Sequence, residues 1–369
     1  MNDILEWTVT AEDPRQQSKA KHLMKDIIAI VFFAELANAS EWIEIYLFAQ
    51  THEALLRKYL VLPNGIPSHD TIQRVFTMIS PEYLAEFRGR WNEGMSGGMG
   101  GTPRRMPALD GKTRRGNGRA GQNANHIVSA VDNDGFCVGE VLADDKSNEI
   151  TAIPRLLDTV NVQGRIVTID AIGCWKDIAR QIRKKRSDYV LALKKNRGTL
   201  HEDVQRYFSE PALLEGCAYH KVVDKARGAA EVREYRQTRD IGWLAQRKEW
   251  AGLSSIVMTG NTIAKKSGET ASQTRYCISS LPLEVERAGR AIRGHWMVES
   301  RHWHLDVTFR EDANGTLDRA AACNLNIVRK MAINTLKLVD VGIANISTKN
   351  KRLMLCMNFS RYLDAIMAL

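Results

Sequence analysis

Three acidic residues stand out by where they fall in the sequence. Asp110 closes the short run Met106–Asp110 and is followed at once by Gly111, Lys112, Thr113, Arg114 and Arg115. Asp170 closes a second apolar run, Arg165–Asp170. Both runs are short, apolar and bounded by turn signals, which is the pattern of a strand. A carboxylate at a strand's end is held rigidly, as a ligand of a divalent cation must be. Taken singly, each reads equally as the cap of a turn or of the next helix. Two in one sheet can meet around one ion. The third is Glu299, within Arg293–Asp306 (RGHWMVESRHWHLD). On a helix, His295, Glu299 and Trp303 share one face at i, i+4 and i+8. Trp296 and Trp303 read more simply as core aromatics. The zinc pattern H-E-x-x-H is absent. Three carboxylates without a Cys/His set select Mg²⁺ or Mn²⁺ over zinc, and they suit two-metal phosphoryl transfer.

Such chemistry calls for a polyanionic substrate. Lysine and arginine number 52 against 43 acidic residues, a formal net charge of +9 that leans the same way. Basic runs at Arg104–Arg105, Lys112–Arg115, Arg183–Arg186 and Lys194–Arg197 are each, alone, a solvated surface. Together they form a phosphate footprint, with Lys112, Arg114, Arg115, Lys194, Lys195 and Arg197 as its candidate contacts.

The elements that must position these residues change character along the chain. Its 369 residues are 44% apolar and 26% charged, outside the disordered class and enough for two or three domains. Residues 1–95 read as a helical domain, with Ser68 capping a helix His69–Ile79 and Pro81 opening another. A Gly-rich linker follows at 96–103. Residues 104–216 alternate strands with helices, and 217–283 read as a β-rich insertion. Residues 284–369 return to helical spacing. The longest apolar run, Ile27–Ala34, is far short of the roughly 20 residues that span a bilayer. The mixed polar start carries no signal-peptide pattern. Six cysteines, none in a C-x-x-C pair, read as reduced thiols. A cytoplasmic protein with no membrane partner is expected.

Ordered motifs then carry a resemblance. The segments Leu62–Phe76 (LPNGIPSHDTIQRVF), Leu109–Arg115 (LDGKTRR), Thr168–Ala179 (TIDAIGCWKDIA), Leu191–Val204 (LALKKNRGTLHEDV) and His295–Asp312 (HWMVESRHWHLDVTFRED) resemble the DDE transposases of bacterial insertion sequences, specifically the H-repeat-associated (ISAs-type) group. The resemblance implies an α/β, ribonuclease-H-like mixed-sheet core with a β-rich insertion, preceded by the helical domain. It makes Asp110, Asp170 and Glu299 the catalytic, metal-binding triad. It implies cleavage of transposon-end DNA by water, then attack of the freed 3′-hydroxyl on target DNA, by a homo-oligomer assembled on DNA. The wider class carries Y-x-x-R-x-x-x-E-x-x-x-x-x-x-K about the glutamate. Here those positions are Ile292, His295, Glu299 and Asp306, which makes His295 the candidate phosphate contact in place of the arginine. A DNA-binding relic without activity, and a metal-dependent nuclease that cuts without joining, are the alternative readings.

Overall fold

The computed structural model describes residues 13, 15–97, 107–113, 126–143, 149–226, 229–265 and 269–368. Arg104, Arg105, Arg114, Arg115 and most of the expected 96–103 linker lie outside the described residues. The chain divides into two compact units. One comprises Met1–Thr102, Lys112–Ile127 and Ser300–Leu369, and the other Pro103–Gly111 and Val128–Glu299. The described residues include nine strands and thirteen α-helices.

The second unit is built on a mixed sheet. The strands of the sheet are β1 (Ala108–Thr113), β2 (His126–Val131), β3 (Cys137–Ala143), β4 (Ile166–Ile169), β5 (Asp188–Leu193), β6 (Ala218–Ala226), β7 (Ala229–Thr238), β8 (Ser255–Lys265) and β9 (Thr270–Ser279); β1 from Lys112 on and β2 up to Ile127 fall in the first unit. They lie in the order β3-β2-β1-β4-β5-β9-β8-β7-β6. β1, β4 and β5 run parallel, while β9 returns antiparallel along β5 and β8, β7 and β6 follow antiparallel in turn. The strand-rich segment 217–283 is therefore joined edge-on to the central strands and forms no second sheet. β9 is buried only towards Ser279, where it meets β5, and exposed towards Thr270.

β4, with the sequence IVTI, is buried at every position, as a parallel strand covered on both faces must be. Strand alternation sends Val167 and Ile169 to one face and Ile166 and Thr168 to the other. The first face packs on helices α6 (Glu149–Thr159) and α7 (Lys176–Lys184). The second places Ile166 and Val190 with Ala288 and Ala291 of α10 (Val285–Trp303). Between α7 and the sheet edge strands run α8 (Thr199–Ser209) and α9 (Pro211–Glu215) in sequence.

The first unit is helical. Its elements are α1 (Met24–Leu36), α2 (Trp42–Thr51), α3 (Glu53–Leu56), α4 (His69–Met78), α5 (Pro81–Gly97), α11 (Arg319–Leu338), α12 (Thr348–Met357) and α13 (Phe359–Met367). α1 and α11 are buried on nearly every side, so they form the centre of a bundle rather than amphipathic surface helices. Ile27, Phe32 and Phe76 share one core with Ile327, Val328 and Met331. The two units meet in the chain between Glu299 and Ser300, with everything from Ser300 on in the helical unit. The Ser68 cap is present, its Oγ accepting the Thr71 N–H at 3.3 Å. Residues 22–60 carry neither Pro nor Gly, yet α1 ends at Leu36 and Asn38 takes a left-handed φ of 69°. Among the described residues no helix is long and apolar enough to cross a membrane.

Candidate active site

The two aspartates owe their proximity to sheet register. Leu109 lies opposite Ile169 on the parallel pair β1–β4, so Asp110 and Asp170, one residue further on each chain, sit side by side at the same sheet end. Alternation puts Asp110 on the face of Ala108, and Asp170 on that of Thr168. That is the face α10 covers. His295 on α10 holds the Thr168 side chain, Nδ1 to Oγ1, at 3.1 Å. Val298 packs in a small cluster with Ala108 and Val131. The helix is thus tied to each strand two residues before its aspartate, and Glu299 follows directly after Val298, exposed at the surface. A turn fixes Asp170: its Oδ1 accepts the N–H groups of Ile172 at 3.0 Å and Gly173 at 3.4 Å. A Cβ on Gly173 would stand 2.3 Å from Ile169 Cγ2 and 2.6 Å from Ile153 Cδ1, so only glycine lets this turn close against the core.

Like charges gather here. Burial, followed by the charges of Asp170, Glu149 and Glu299, pushes the Asp110 carboxyl up to about 7. Asp170 is also raised, by burial first and by Glu149. Glu149 is the acidic residue that sequence reasoning missed. It opens α6 and is buried, at the head of the stripe Glu149, Ala152, Ile153, Leu156, Leu157 that faces the sheet. The signal was there: a carboxylate where the i, i+3, i+4 pattern calls for an apolar side chain.

Among the described residues no three His, Cys, Asp or Glu side chains close around one point as a finished metal site. Mutually repelling carboxylates have no reason to close without a cation between them. The donor chemistry itself, all carboxylate oxygen, fits a hard ion such as Mg²⁺ or Mn²⁺.

The basic candidates fare differently from one another. Lys112 is only 12% exposed and is held by Asp306 and by Glu311, the latter at 2.5 Å. Its charge is taken up by those two carboxylates. The aspartate standing where the wider class has lysine thus has a partner of its own. Lys194 and Lys195 are exposed just beyond β5. Asn196 donates to the Ala171 carbonyl at 2.9 Å, and the Arg197 guanidinium lies 4.0 Å over the Trp175 ring. That loop therefore lies against the Asp170 turn. His295 does not bring a charge to the site: burial first, then Arg275, pushes its pKa down to about 4. Arg301 is buried, donating to Asn334 Oδ1 and the Lys330 carbonyl at 2.8 Å each. A basic cavity of about 250 Å³ opens between β7–β9 and α10, lined by Arg233, Arg275, Arg293 and Trp296 among others, with Arg275 stacked 4.3 Å over the Trp296 ring. Its residues come together only through strand register, which spacing along the chain does not display.

Residues 101–335 match a transposase DDE domain and residues 9–92 a DDE_Tnp_1-associated domain. The chain is 35% identical to "Putative transposase YncI" of Escherichia coli O157:H7, covering 100% of this chain and 95% of that protein. It is 34% identical to "H repeat-associated putative transposase YhhI" of Escherichia coli K12, over 100% of this chain and 98% of that one. A shorter relative, "Inactive transposase YbfQ" of the same strain, is 36% identical over 75 residues, 20% of this chain. With a domain match over more than half its length and relatives aligned from end to end, the chain belongs to the DDE transposase family.

Proposed function

We propose that this protein is a Mg²⁺- or Mn²⁺-dependent DNA transposase with a ribonuclease-H-like core, acting in the cytoplasm on transposon ends and target DNA as a homo-oligomer. Asp110, Asp170 and Glu299 are its catalytic carboxylates. The observation that carries the reading is the register of β1 against β4, which sets two carboxylates together on the face that the Glu299 helix covers. Raised carboxyls at Asp110 and Asp170 mark a site that favours an added positive charge. Glu149 adds a further negative charge beside them.

Asp110 and Asp170, on strand ends, and Glu299, on the helix above, would hold the divalent ions. When bound, those ions activate the attacking oxygen and neutralise charge at the phosphate. The chain's residues supply position. The carboxylates fix where the scissile phosphate meets its nucleophile, first water and then the freed 3′-hydroxyl. Lys194, Lys195 and Arg197 hold neighbouring phosphates and fix the strand's path. No side chain need form a covalent bond to DNA. The test is strand cleavage and joining on element-end DNA with Mg²⁺. Asp110→Asn, Asp170→Asn and Glu299→Gln should each lower the rate by at least about 10²–10³-fold, the scale of losing one transition-state electrostatic group. Activity unchanged by all three would remove the mechanism. Cleavage without joined products would make the protein a nuclease.

A further inference from the structure

We propose that His295 is a positioning residue that sets the Glu299 helix against the Asp170 strand through its hydrogen bond to Thr168, and not a contact to DNA phosphate. The inference rests on the transposase reading of the triad. Its geometric basis is independent of that reading.

His295 and Glu299 lie one helical turn apart, so they share a face of α10. The imidazole meets Thr168 at 3.1 Å, and Thr168 stands two residues before Asp170 on a strand buried throughout. The bond therefore links the two elements that carry Asp170 and Glu299. Val298 against Ala108 does the same for the Asp110 strand, but an apolar contact leaves rotation and sliding of the helix open. A hydrogen bond between two fixed atoms restricts both. Glu299 itself is exposed, so its placement is set largely by the turn before it. Displacing a reacting group by about 1 Å can cost 10²-fold in rate, and this bond controls displacement on that scale. An imidazole kept neutral by burial and by Arg275 suits a hydrogen-bonding spacer and is a poor phosphate ligand.

The experiment compares full-length His295→Ala, His295→Gln, Thr168→Val and the double variant His295→Ala/Thr168→Val. Three readouts are taken: kcat and KM for strand cleavage, Mn²⁺ concentration at half-maximal rate, and metal-free DNA affinity against salt. We expect His295→Ala to lower kcat about 100-fold and raise the Mn²⁺ requirement about tenfold. KM for DNA and the salt dependence should stay at the wild-type value. Thr168→Val, nearly isosteric, should reproduce both effects, the double variant should add nothing further, and His295→Gln should recover most of the rate. Weaker DNA binding with a shallower salt slope would overturn the proposal in favour of a phosphate contact. A drop in melting temperature with kcat and Mn²⁺ requirement unchanged would overturn it in favour of a purely structural bond. If Asp170→Asn in the same assay also leaves activity intact, the failure belongs to the transposase reading instead.

Discussion

Two regions of this molecule bury charge, and they do it in opposite ways. In the helical unit, Glu35 is fully buried and is held at 2.9 Å by Arg329 and at 3.4 Å by Arg352, themselves no more than 1% exposed. Ser40 and the Glu35 carbonyl complete the set, donating to the carboxylate and accepting from Arg352. In the sheet unit, burial at Asp110 is joined by the charges of Asp170, Glu149 and Glu299, all of its own sign. The first arrangement satisfies itself. In the second, burial and like charges raise the Asp110 carboxyl together, which supports the proposed placing of a cation at the β1–β4 end, whereas the larger network reads as scaffold.

Neutral isosteres should separate the two by sign. Glu35→Gln leaves two buried guanidinium groups without their counter-charge and should destabilise the protein by about 3–5 kcal/mol. Asp110→Asn removes a repelled carboxylate and should leave the metal-free protein as stable as before or more so, by about 0.5–2 kcal/mol, while abolishing activity. Urea melts of both variants measure this. A loss at Asp110 matching that at Glu35 would end the distinction.

Gly173 sharpens the comparison from the packing side. Gly173→Ala would drive its new methyl into Ile169 and Ile153, costing about 1–3 kcal/mol as overpacking. The same methyl would shift the N–H groups that hold Asp170, so cleavage should fall further than stability alone accounts for. Equal losses in a Tm-matched comparison would show the turn to be ordinary core.

The pH response follows from Asp110. Its folded carboxyl keeps a proton up to about pH 7, whereas in the unfolded chain it loses it near the usual 3.9. Between about pH 4 and pH 7 the folded state therefore holds more protons, and stability falls as pH rises through that window. The slope is at most about 1.4 kcal/mol per pH unit. Asp110→Asn should flatten it, and saturating Mg²⁺ should flatten it in the wild type by favouring the ionised carboxyl. A wild-type curve as flat as the variant's would place Asp110 among ordinary exposed aspartates.

Much of this was legible in the amino-acid order, for physical reasons that differ by element. Runs such as IVTI and HIVSAV have only one comfortable conformation, and each ends on a turn signal, so strand ends and the aspartates on them can be read directly. Glu149 leaves only a weak signal, a carboxylate at the head of an apolar stripe, because an acidic residue at a helix start is commonplace and its burial depends on which face α6 turns to the sheet. The ion pair of Lys112 is not legible either, because its partner Glu311 lies 199 residues away. A basic run looks the same whether solvent or a buried carboxylate receives it. Residues 22–60 carry helical spacing with neither Pro nor Gly, yet Asn38, with a positive φ, breaks them without warning, whereas Pro63, Gly65 and Pro67 announce the turn around Leu62.

The smallest effect expected is at the rim of the site, where the Arg197–Trp175 stack tests whether the exposed loop after β5 meets DNA. Arg197 lies over the indole and Trp175 is 39% exposed, so neither carries much of the core. Arg197→Ala should leave stability within about 0.5 kcal/mol. It should weaken binding evenly across DNA sequences and lower the slope of log affinity against log salt by about 1, the signature of one lost phosphate contact. Trp175→Ala keeps the guanidinium but removes its platform. Affinity should fall while the slope stays near the wild-type value, because the charge still reaches phosphate from a less ordered side chain. Anisotropy titrations between about 50 and 200 mM salt resolve a change of that size. An unaltered slope in Arg197→Ala would place Arg197 with Lys112, as a cation spent on the protein itself.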